Sequence, residues 1–241
     1  MFDLSFDAGV ARLTLNRPEA RNAIPVTQWR LLAGAAREAE AAGARLLVLR
    51  GAGQAFCAGA DLGDFPAMHR DPAAAAEFRQ AMREGIEAVA ALSIPTLALI
   101  EGPCFGAGVA LAMACDLRFA GAQAGFAITP AKYGISYPQE DIARLVNLVG
   151  PGQAARLLLG AGSIDAAEAI RIGLAEAPVD AAQPFIEAAL ANSGASIATL
   201  KRGLARAAAG TSQDEEQDRL FDELISGDEL APKLATFRPK R

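Results

Sequence analysis

The sequence has few of the residues on which metal sites and disulfides depend. Its 241 residues include one histidine and three cysteines, and no two cysteines form a C-x-x-C pair. A zinc site and a disulfide framework both need several such residues at close spacing, so neither is expected. Runs of apolar residues are also short, and none approaches the roughly 18 that a membrane span requires. We therefore expect no metal site and no membrane association.

Positive charge is scarce as well. The 23 Lys and Arg residues are outnumbered by 28 Asp and Glu, which leaves a net charge of −5. This balance argues against a nucleic-acid partner, because binding to a polyanion relies on excess positive charge. A small anionic ligand held by a few local cations is still compatible with it. The N-terminus lacks the basic segment of a secretory signal, so a cytoplasmic protein is expected.

The hydrophobic content is high, and its pattern changes along the chain. Hydrophobic residues make up 52% of the sequence. Short apolar runs such as 10–15, 45–50 and 96–100 predict strands that alternate with helices, whereas the chain from about residue 181 predicts helices only. We predict an α/β core over residues 1–180 and a helical region over 181–241. Further predicted elements are a hairpin around 7–9, a strand-like segment at 115–120, an N-cap at 163–165, and helices at 26–42, 72–92, 140–149, 151–159, 181–192, 195–209 and 213–226.

Two glycine-containing loops each follow a predicted strand. The stretch GPCFGAGVALAMACD, residues 102–116, runs into a predicted helix, and FCAGAD covers 56–61. The first is not a dinucleotide fingerprint, since the third glycine would fall on Leu111, and no Gly-Lys-Ser/Thr ending marks a phosphate loop. Glycines that only permit close packing are one interpretation. The other is a pair of backbone N–H donors aimed at one carbonyl oxygen, an oxyanion hole.

Four segments, in order and at matching spacing, resemble the enoyl-CoA hydratase/isomerase (crotonase) superfamily. They are NRPEARNA (16–23), GAGQAFCAGADL (51–62), IEGPCFGAGVALAMACDLRFA (100–120) and ITPAKYGISYP (128–138). The resemblance covers essentially the whole chain. It implies a spiral of ββα units and a C-terminal helical region that forms trimers or dimers of trimers. It also implies an acyl-CoA thioester as the substrate, with no separate cofactor.

The same resemblance assigns the oxyanion donors and the ligand path. The donors fall on the backbone N–H groups of Ala60 and Ala107, and the second position is usually glycine, so Ala107 is tolerable only with a negative φ. The coenzyme A path is implied along the neighbouring backbone, namely Ala58, Gly59, Asp61, Leu62 and Gly106. Lys201 is a separate candidate, for the coenzyme A phosphates. Asp61 is interpreted as mainly structural, accepting loop N–H groups.

Two departures from the family put the reaction in question. The positions of the two hydratase glutamates are occupied by Ala110 and Pro130, which cannot transfer protons. The segment around Tyr137 resembles family members that decarboxylate methylmalonyl-CoA, although those members keep a glutamate at the position of Ala110. Tyr137 is thus either a catalytic side chain or a packing residue.

Each of the remaining candidate residues has two alternative roles. Glu140 and Asp141 are either displaced acid–base groups or residues placed to stabilise a helix start, and His69 is either a cleft residue or solvent-exposed. Arg21, Lys132 and Arg202, like Lys201, are either phosphate ligands or ordinary surface charges. The resulting hypotheses are a lyase or isomerase lacking both glutamates, a hydratase with relocated acids, and a non-catalytic acyl-CoA-binding subunit.

Overall fold

The computed structural model describes residues 1–236, so the predicted helical region 181–241 is described only as far as residue 236. The strands are β1 (Phe2–Asp7), β2 (Val10–Leu15), β3 (Leu46–Gly51), β4 (Thr96–Ile100), β5 (Pro103–Phe105), β6 (Leu117–Ala120), β7 (Gly125–Ala127), β8 (Ser163–Asp165) and β9 (Ala177–Pro178). The helices are α1 (Trp29–Ala41), α2 (Phe65–Met68), α3 (Pro72–Ala90), α4 (Ala107–Ala114), α5 (Gln139–Gly160), α6 (Ala166–Ile172), α7 (Ala182–Ala191), α8 (Gly194–Ala208), α9 (Glu215–Ser226) and α10 (Leu230–Thr236).

A six-stranded sheet in the order β1-β2-β3-β4-β6-β9 forms the centre of the molecule. Only the first pair is antiparallel. It is joined by a two-residue turn at Ala8 and Gly9, which both have positive φ (47° and 84°), as hairpin turns that match the strand twist require. The apolar β3 run is buried at four successive positions, as expected for a central strand of a parallel sheet.

After β3 and β4 the chain leaves the large sheet for a second, smaller layer. Strands β5, β7 and β8 form that layer, and Cys57, which follows β3, makes an isolated parallel bridge to Cys104 in β5. The crossing after β4 requires a glycine, because a Cβ at Gly102 would lie 1.9 Å from the carbonyl oxygen of Gln54. The loop after β3 and the loop after β4 therefore lie side by side.

The hydrophobic core has two parts, one on each side of the large sheet. The larger part includes α1, α3 and the wholly buried α4. On the other side, α7 packs through Ala182, Ile186 and Ala189 onto side chains such as Leu46 and Phe119. By contrast, α8 and α9 have no buried residue. None of the described helices combines the length and the apolar character that a membrane crossing requires.

The predicted mixed α/β architecture followed by helices is confirmed, with corrections to individual elements. The predicted helix 26–42 is a 3₁₀ turn followed by α1, and the two predicted helices 140–149 and 151–159 run together as α5, which is kinked at Gly150 (φ 75°, ψ 163°). Asp165 caps α6 as predicted, yet the same three residues also form β8.

The sequence prediction missed the strands β5, β7, β8 and β9, the four-residue helix α2 and the helix α10. Each of these strands has only two or three residues, which is too short to display a period-2 pattern. Helix α10 follows α9 after a break at residues 227–229. The described part of the C-terminal region therefore contains four helices where three were predicted.

Candidate active site

A cleft of about 570 Å³ opens where the two glycine-containing loops meet. Its lining includes seven of the residues that the sequence predicts for the site, namely Ala58, Ala60, Asp61, Leu62, Gly106, Ala107 and Tyr137. Gly59 lies between two of these residues in the first loop. Glu140 and Lys201 do not contribute to the lining.

In the first loop, the N–H of Ala60 points away from Ile24, the residue with which Ala60 forms a parallel bridge. Ile24 donates its N–H to the carbonyl oxygen of Gly59 (2.8 Å) and accepts from the N–H of Asp61 (3.1 Å). In such a parallel bridge the residue between the two bonded ones, Ala60, directs its own N–H and C=O to the opposite side. That N–H therefore faces the cleft that Ala60 lines.

The second loop directs the N–H of Ala107 toward the same cleft. Gly106 has φ 51° and ψ −121°, and its N–H donates to the carbonyl oxygen of Ala127 at 2.8 Å. Ala107 is the first residue of α4, so its N–H has no acceptor within the helix. Its helical backbone satisfies the condition of a negative φ at this position. Within residues 1–236, neither Ala60 nor Ala107 has a hydrogen-bond partner for its N–H.

Glycine is what allows the two loops to approach each other. At Gly59 (φ 99°) a Cβ would lie 2.7 Å from the carbonyl oxygen of Phe105 and 3.0 Å from the nitrogen of Ala107. At Gly108 a Cβ would lie 2.3 Å from the carbonyl oxygen of Cys57. The two interpretations of these glycines, close packing and ligand access, are thus compatible, because the packing brings both N–H groups to one cleft.

Asp61 is the only carboxylate that lines the cleft in the described part of the chain. It accepts a hydrogen bond from the guanidinium of Arg17 and another from the N–H of Gly63 (2.9 Å). These bonds, chiefly the one from Arg17, lower the pKa of Asp61. The carboxylate is therefore ionised at neutral pH and already bound, which is the arrangement expected of a structural residue.

Glu140 and Asp141, the proposed displaced acids, lie on α5 outside the cleft. The guanidinium of Arg83 donates to Glu140 at 2.6 Å, and this bond lowers the pKa of Glu140. Asp141 has a side chain that is 2% exposed and lies 3.3 Å from a guanidinium nitrogen of Arg144. Burial raises its pKa to about 6. The structure thus places neither acid on the surface that would contact a ligand in the cleft.

Tyr137 is buried at the wall of the cleft. Its hydroxyl donates to the carbonyl oxygen of Gly106 at 2.9 Å, and burial raises its pKa well above the ordinary value. The hydroxyl is consequently neutral at physiological pH, with its proton directed at the backbone of the second loop.

The cationic candidates separate into two groups. Arg21 and Lys132 line the cleft. Lys201 instead donates its ammonium to the carbonyl oxygen of Ile94 (2.8 Å) and pairs with Asp116 (2.7 Å). Arg202, next to it on α8, pairs with Asp214 at 2.8 Å. The structure thus brings two of the four cations to the cleft and engages the other two elsewhere.

Sequence reasoning missed Arg17 and an apolar wall. Arg17 lies in the NRPEARNA segment, four residues before the candidate Arg21, so the motif that indicated the family already contained it.

The apolar wall is made by α3, where Phe78 and Met82 stand four residues apart on one face. These two side chains also line an adjoining apolar pocket of about 490 Å³, together with Phe65, Met68, Ile135 and Pro138. The exposed His69 lines this second pocket and not the main cleft.

The sequence of this chain matches a known protein family. Residues 5–241 match the family model for enoyl-CoA hydratase/isomerase. A probable enoyl-CoA hydratase from Mycobacterium tuberculosis is 35% identical over 240 residues, which cover 98% of this chain and 91% of that protein. Another from the same species is 39% identical over 176 residues, or 73% of this chain and 69% of that protein.

Solved structures agree with the same fold. The crystal structure of an enoyl-CoA hydratase/isomerase family protein from Hyphomonas neptunium superposes with a TM-score of 0.93 at 33% identity, covering 100% of this chain and 96% of that one. An enoyl-CoA hydratase from Bacillus anthracis gives a TM-score of 0.88 at 27% identity, with coverage of 100% and 96%. The crotonase fold predicted from the sequence is thereby confirmed, and the chain belongs to the enoyl-CoA hydratase/isomerase family.

Proposed function

We propose that this protein is an acyl-CoA enzyme in which the N–H groups of Ala60 and Ala107 stabilise a thioester enolate, and that its reaction is not hydration. One observation carries the proposal. Two unpartnered N–H groups face a cleft in which the only described carboxylate, Asp61, is held by Arg17. Such a site can polarise a thioester carbonyl but offers no free carboxylate to activate water.

The cleft and its apolar extension suit the parts of an acyl-CoA. Arg21 and Lys132 supply positive charge for the phosphates of coenzyme A, and the segment Ala58–Leu62 lines the path of the pantetheine. The pocket beside Phe78 and Met82 is mostly apolar, with Arg79 and His69 also in its lining, and it adjoins the cleft, which suits an acyl chain. The coenzyme A thioester is the substrate in this proposal, and no separate cofactor is required.

Decarboxylation is the reaction that makes the least demand on this site. The bond between the α-carbon and the substrate carboxylate breaks, CO₂ leaves, and the electron pair enters the thioester as an enolate. The two N–H groups hold the negative oxygen, and the α-carbon then takes a proton from solvent or from a hydroxyl in the cleft. No general base is needed for the bond-breaking step, whereas isomerisation and hydration both need one.

Hydration is the rival reaction, and the names of the relatives, probable enoyl-CoA hydratases, favour it. A hydratase would have to use Glu140 or Asp141 as its acid or base. The salt bridge of Glu140 to Arg83 and the burial of Asp141 speak against direct contact with a substrate. Movement of α5 would be needed to bring either group to the cleft.

Two assays separate these reactions. Malonyl-type CoA esters are tested for CO₂ release, and crotonyl-CoA is followed by the loss of its conjugated thioester absorbance. We expect the first activity and not the second. Crotonyl-CoA turnover that disappears in Glu140→Ala or Asp141→Asn would establish the hydratase instead. Calorimetric binding of acyl-CoA with no turnover of any thioester would identify a non-catalytic acyl-CoA-binding subunit, and no binding at all would refute the ligand assignment.

We also propose that the C-terminal helices assemble the chain into trimers or dimers of trimers. Leu200 and Leu204 on α8 are 63% and 71% exposed, and Phe221 and Ile225 on α9 are 61% and 55% exposed. Each pair is spaced by four residues and so lies on one helix face, an arrangement typical of an interface. Light scattering should give a trimer or hexamer that Leu204→Glu dissociates and Leu31→Glu, an exposed change on α1, does not. A monomeric wild type would refute this proposal.

A further inference from the structure

The hydroxyl of Tyr137 reaches the second loop from a distant part of the chain. Tyr137 stands just before α5, 31 residues from Gly106, and it donates to the Gly106 carbonyl oxygen at 2.9 Å. Its residue surface is only 8% exposed. The contact therefore links the start of α5 to the turn that begins α4, in an environment largely shielded from water.

The Gly106 carbonyl and the Ala107 N–H are the two ends of one peptide group. The group is planar and trans, so its C=O and N–H point in opposite directions. The C=O is directed at Tyr137 while the N–H is directed at the cleft. A hydrogen bond accepted by the carbonyl oxygen polarises the amide and makes its N–H a stronger donor.

We propose that Tyr137 is a positioning residue that holds and polarises the Gly106–Ala107 peptide, and thereby tunes the oxyanion donor of Ala107. This inference rests on the proposed function, because it presupposes that Ala107 binds the thioester oxygen. It differs from a role in which the hydroxyl contacts the substrate: Tyr137 acts through the backbone.

The surroundings explain why the peptide needs a clamp. The Gly106 carbonyl also accepts from the N–H of Val109 (2.9 Å) and, at 3.4 Å, from that of Ala110. Both donors belong to the first turn of α4 and move with it. Within residues 1–236, Tyr137 supplies the one hydrogen bond to this carbonyl from outside that turn. Burial raises the pKa of the hydroxyl, which therefore stays protonated and able to donate.

The experiment measures the carbonyl that the donors would bind. Butyryl-CoA labelled with ¹³C at the thioester carbonyl, which has no reactive double bond or carboxylate, is bound to the protein, and infrared difference spectra give its C=O stretch. In the wild type we expect a stretch below that of free butyryl-CoA. In Tyr137→Phe, which keeps the ring, we expect a clearly smaller lowering. Turnover of the preferred substrate should fall roughly ten-fold with KM changed less than about two-fold, a fraction of the loss expected when a whole donor is removed.

A second variant strengthens the same bond. The chain has two tyrosines, so in a Tyr133→Phe background the incorporation of 3-fluorotyrosine labels position 137 alone. Fluorine makes the phenol a stronger donor while retaining the hydroxyl, and the stretch should fall further. Tyr133 is an exposed residue of the cleft lining with no bond to this peptide, so Tyr133→Phe with ordinary tyrosine at position 137 gives the reference stretch against which the fluorinated protein is compared.

The outcomes separate this inference from the proposed function. A wild-type stretch equal to that of free butyryl-CoA would refute the oxyanion hole itself. A lowered wild-type stretch that is unchanged in both Tyr137→Phe and the fluorinated protein would overturn only the role of Tyr137. A change in KM alone, with an unchanged stretch, would mean that Tyr137 contacts the substrate and does not act through the peptide.

Discussion

Replacement of Gly59 by alanine tests the central geometric feature of the site, the close approach of the two loops. The added Cβ would lie 2.7 Å from the carbonyl oxygen of Phe105, and an ordinary contact begins near 3.4 Å, so the backbone must shift by about 0.7 Å (3.4 minus 2.7) to accommodate it. Because the same Cβ would lie 3.0 Å from the nitrogen of Ala107, this shift separates the two N–H donors.

The expected magnitude follows from two separate costs. A non-glycine residue at the φ of 99° found here is strained by about 1–3 kcal/mol, and the clash adds to this, so we expect a loss of roughly 2–4 kcal/mol in the free energy of unfolding. A displacement of this size in a catalytic group typically costs up to about a hundred-fold in rate. We therefore expect turnover to fall about 10- to 100-fold in Gly59→Ala.

Gly43→Ala is the matched control. Gly43 also has a positive φ (81°), but a Cβ there meets no other atom within 4 Å. Its cost should be conformational strain alone, about 1–2 kcal/mol, with unchanged turnover. Urea denaturation measures stability in both variants, and the carbonyl stretch of bound ¹³C-butyryl-CoA reports on the donors. If folded Gly59→Ala keeps both the wild-type stretch and wild-type turnover, the N–H groups of Ala60 and Ala107 are not the oxyanion donors.

Three further predictions concern the residues around the cleft. The pKa of Asp141 is raised by burial from its ordinary value of 3.8 to about 6, so between those values the folded chain retains a proton that the unfolded chain has lost. The stabilisation that this proton provides should therefore be lost as the pH rises through this window, so the wild type should lose about 3 kcal/mol relative to Asp141→Asn when the urea midpoints of the two proteins are compared across it; a difference that does not change with pH would contradict the raised pKa. Lys201→Met should lower the free energy of unfolding by about 1–3 kcal/mol, because it removes the bonds to Asp116 and Ile94, and should leave the calorimetric affinity for butyryl-CoA unchanged; a ten-fold loss of affinity would instead support the sequence-based assignment of Lys201 to coenzyme A. Tyr137→Phe should cost no more than about 1 kcal/mol, since the Gly106 carbonyl keeps its bond from Val109; a larger loss in urea denaturation would mean that the hydroxyl is mainly structural.

The sequence was most informative where a site depends on local backbone. Each predicted donor lies in a short segment that follows a strand, and Ala107 begins a helix whose first N–H groups are necessarily free. Such features require only neighbouring residues, so the loops at 56–61 and 102–116 could be located and the mixed α/β fold predicted. The same local logic explains why β5 and β7 were missed: three residues carry too little pattern, and these strands form only because a distant strand pairs with them.

Side-chain roles were harder to predict, because each depends on what the fold places opposite the residue. Glu140 is equally suited by its sequence position to stabilising a helix start and to acting as an acid. The sequence gives no sign that Arg83, 57 residues away, binds its carboxylate and holds it outside the cleft. Likewise Lys201 lies beside Asp116 and the backbone of Ile94, contacts between residues about a hundred positions apart that no periodicity reveals.

The sequence by itself thus determined the family, the strand–loop–helix segments and the kinds of residue available to the site, since these follow from motifs and from chain-local geometry. Only the tertiary structure decided which groups share the cleft. It brought Ala60 and Ala107 together through glycines at loop crossings, left Glu140 outside, and directed the hydroxyl of Tyr137 at the Gly106 carbonyl. The physical reason is that a hydrogen bond or an ion pair is specified by distances of a few ångströms between atoms, and the separation of residues along the chain does not determine those distances.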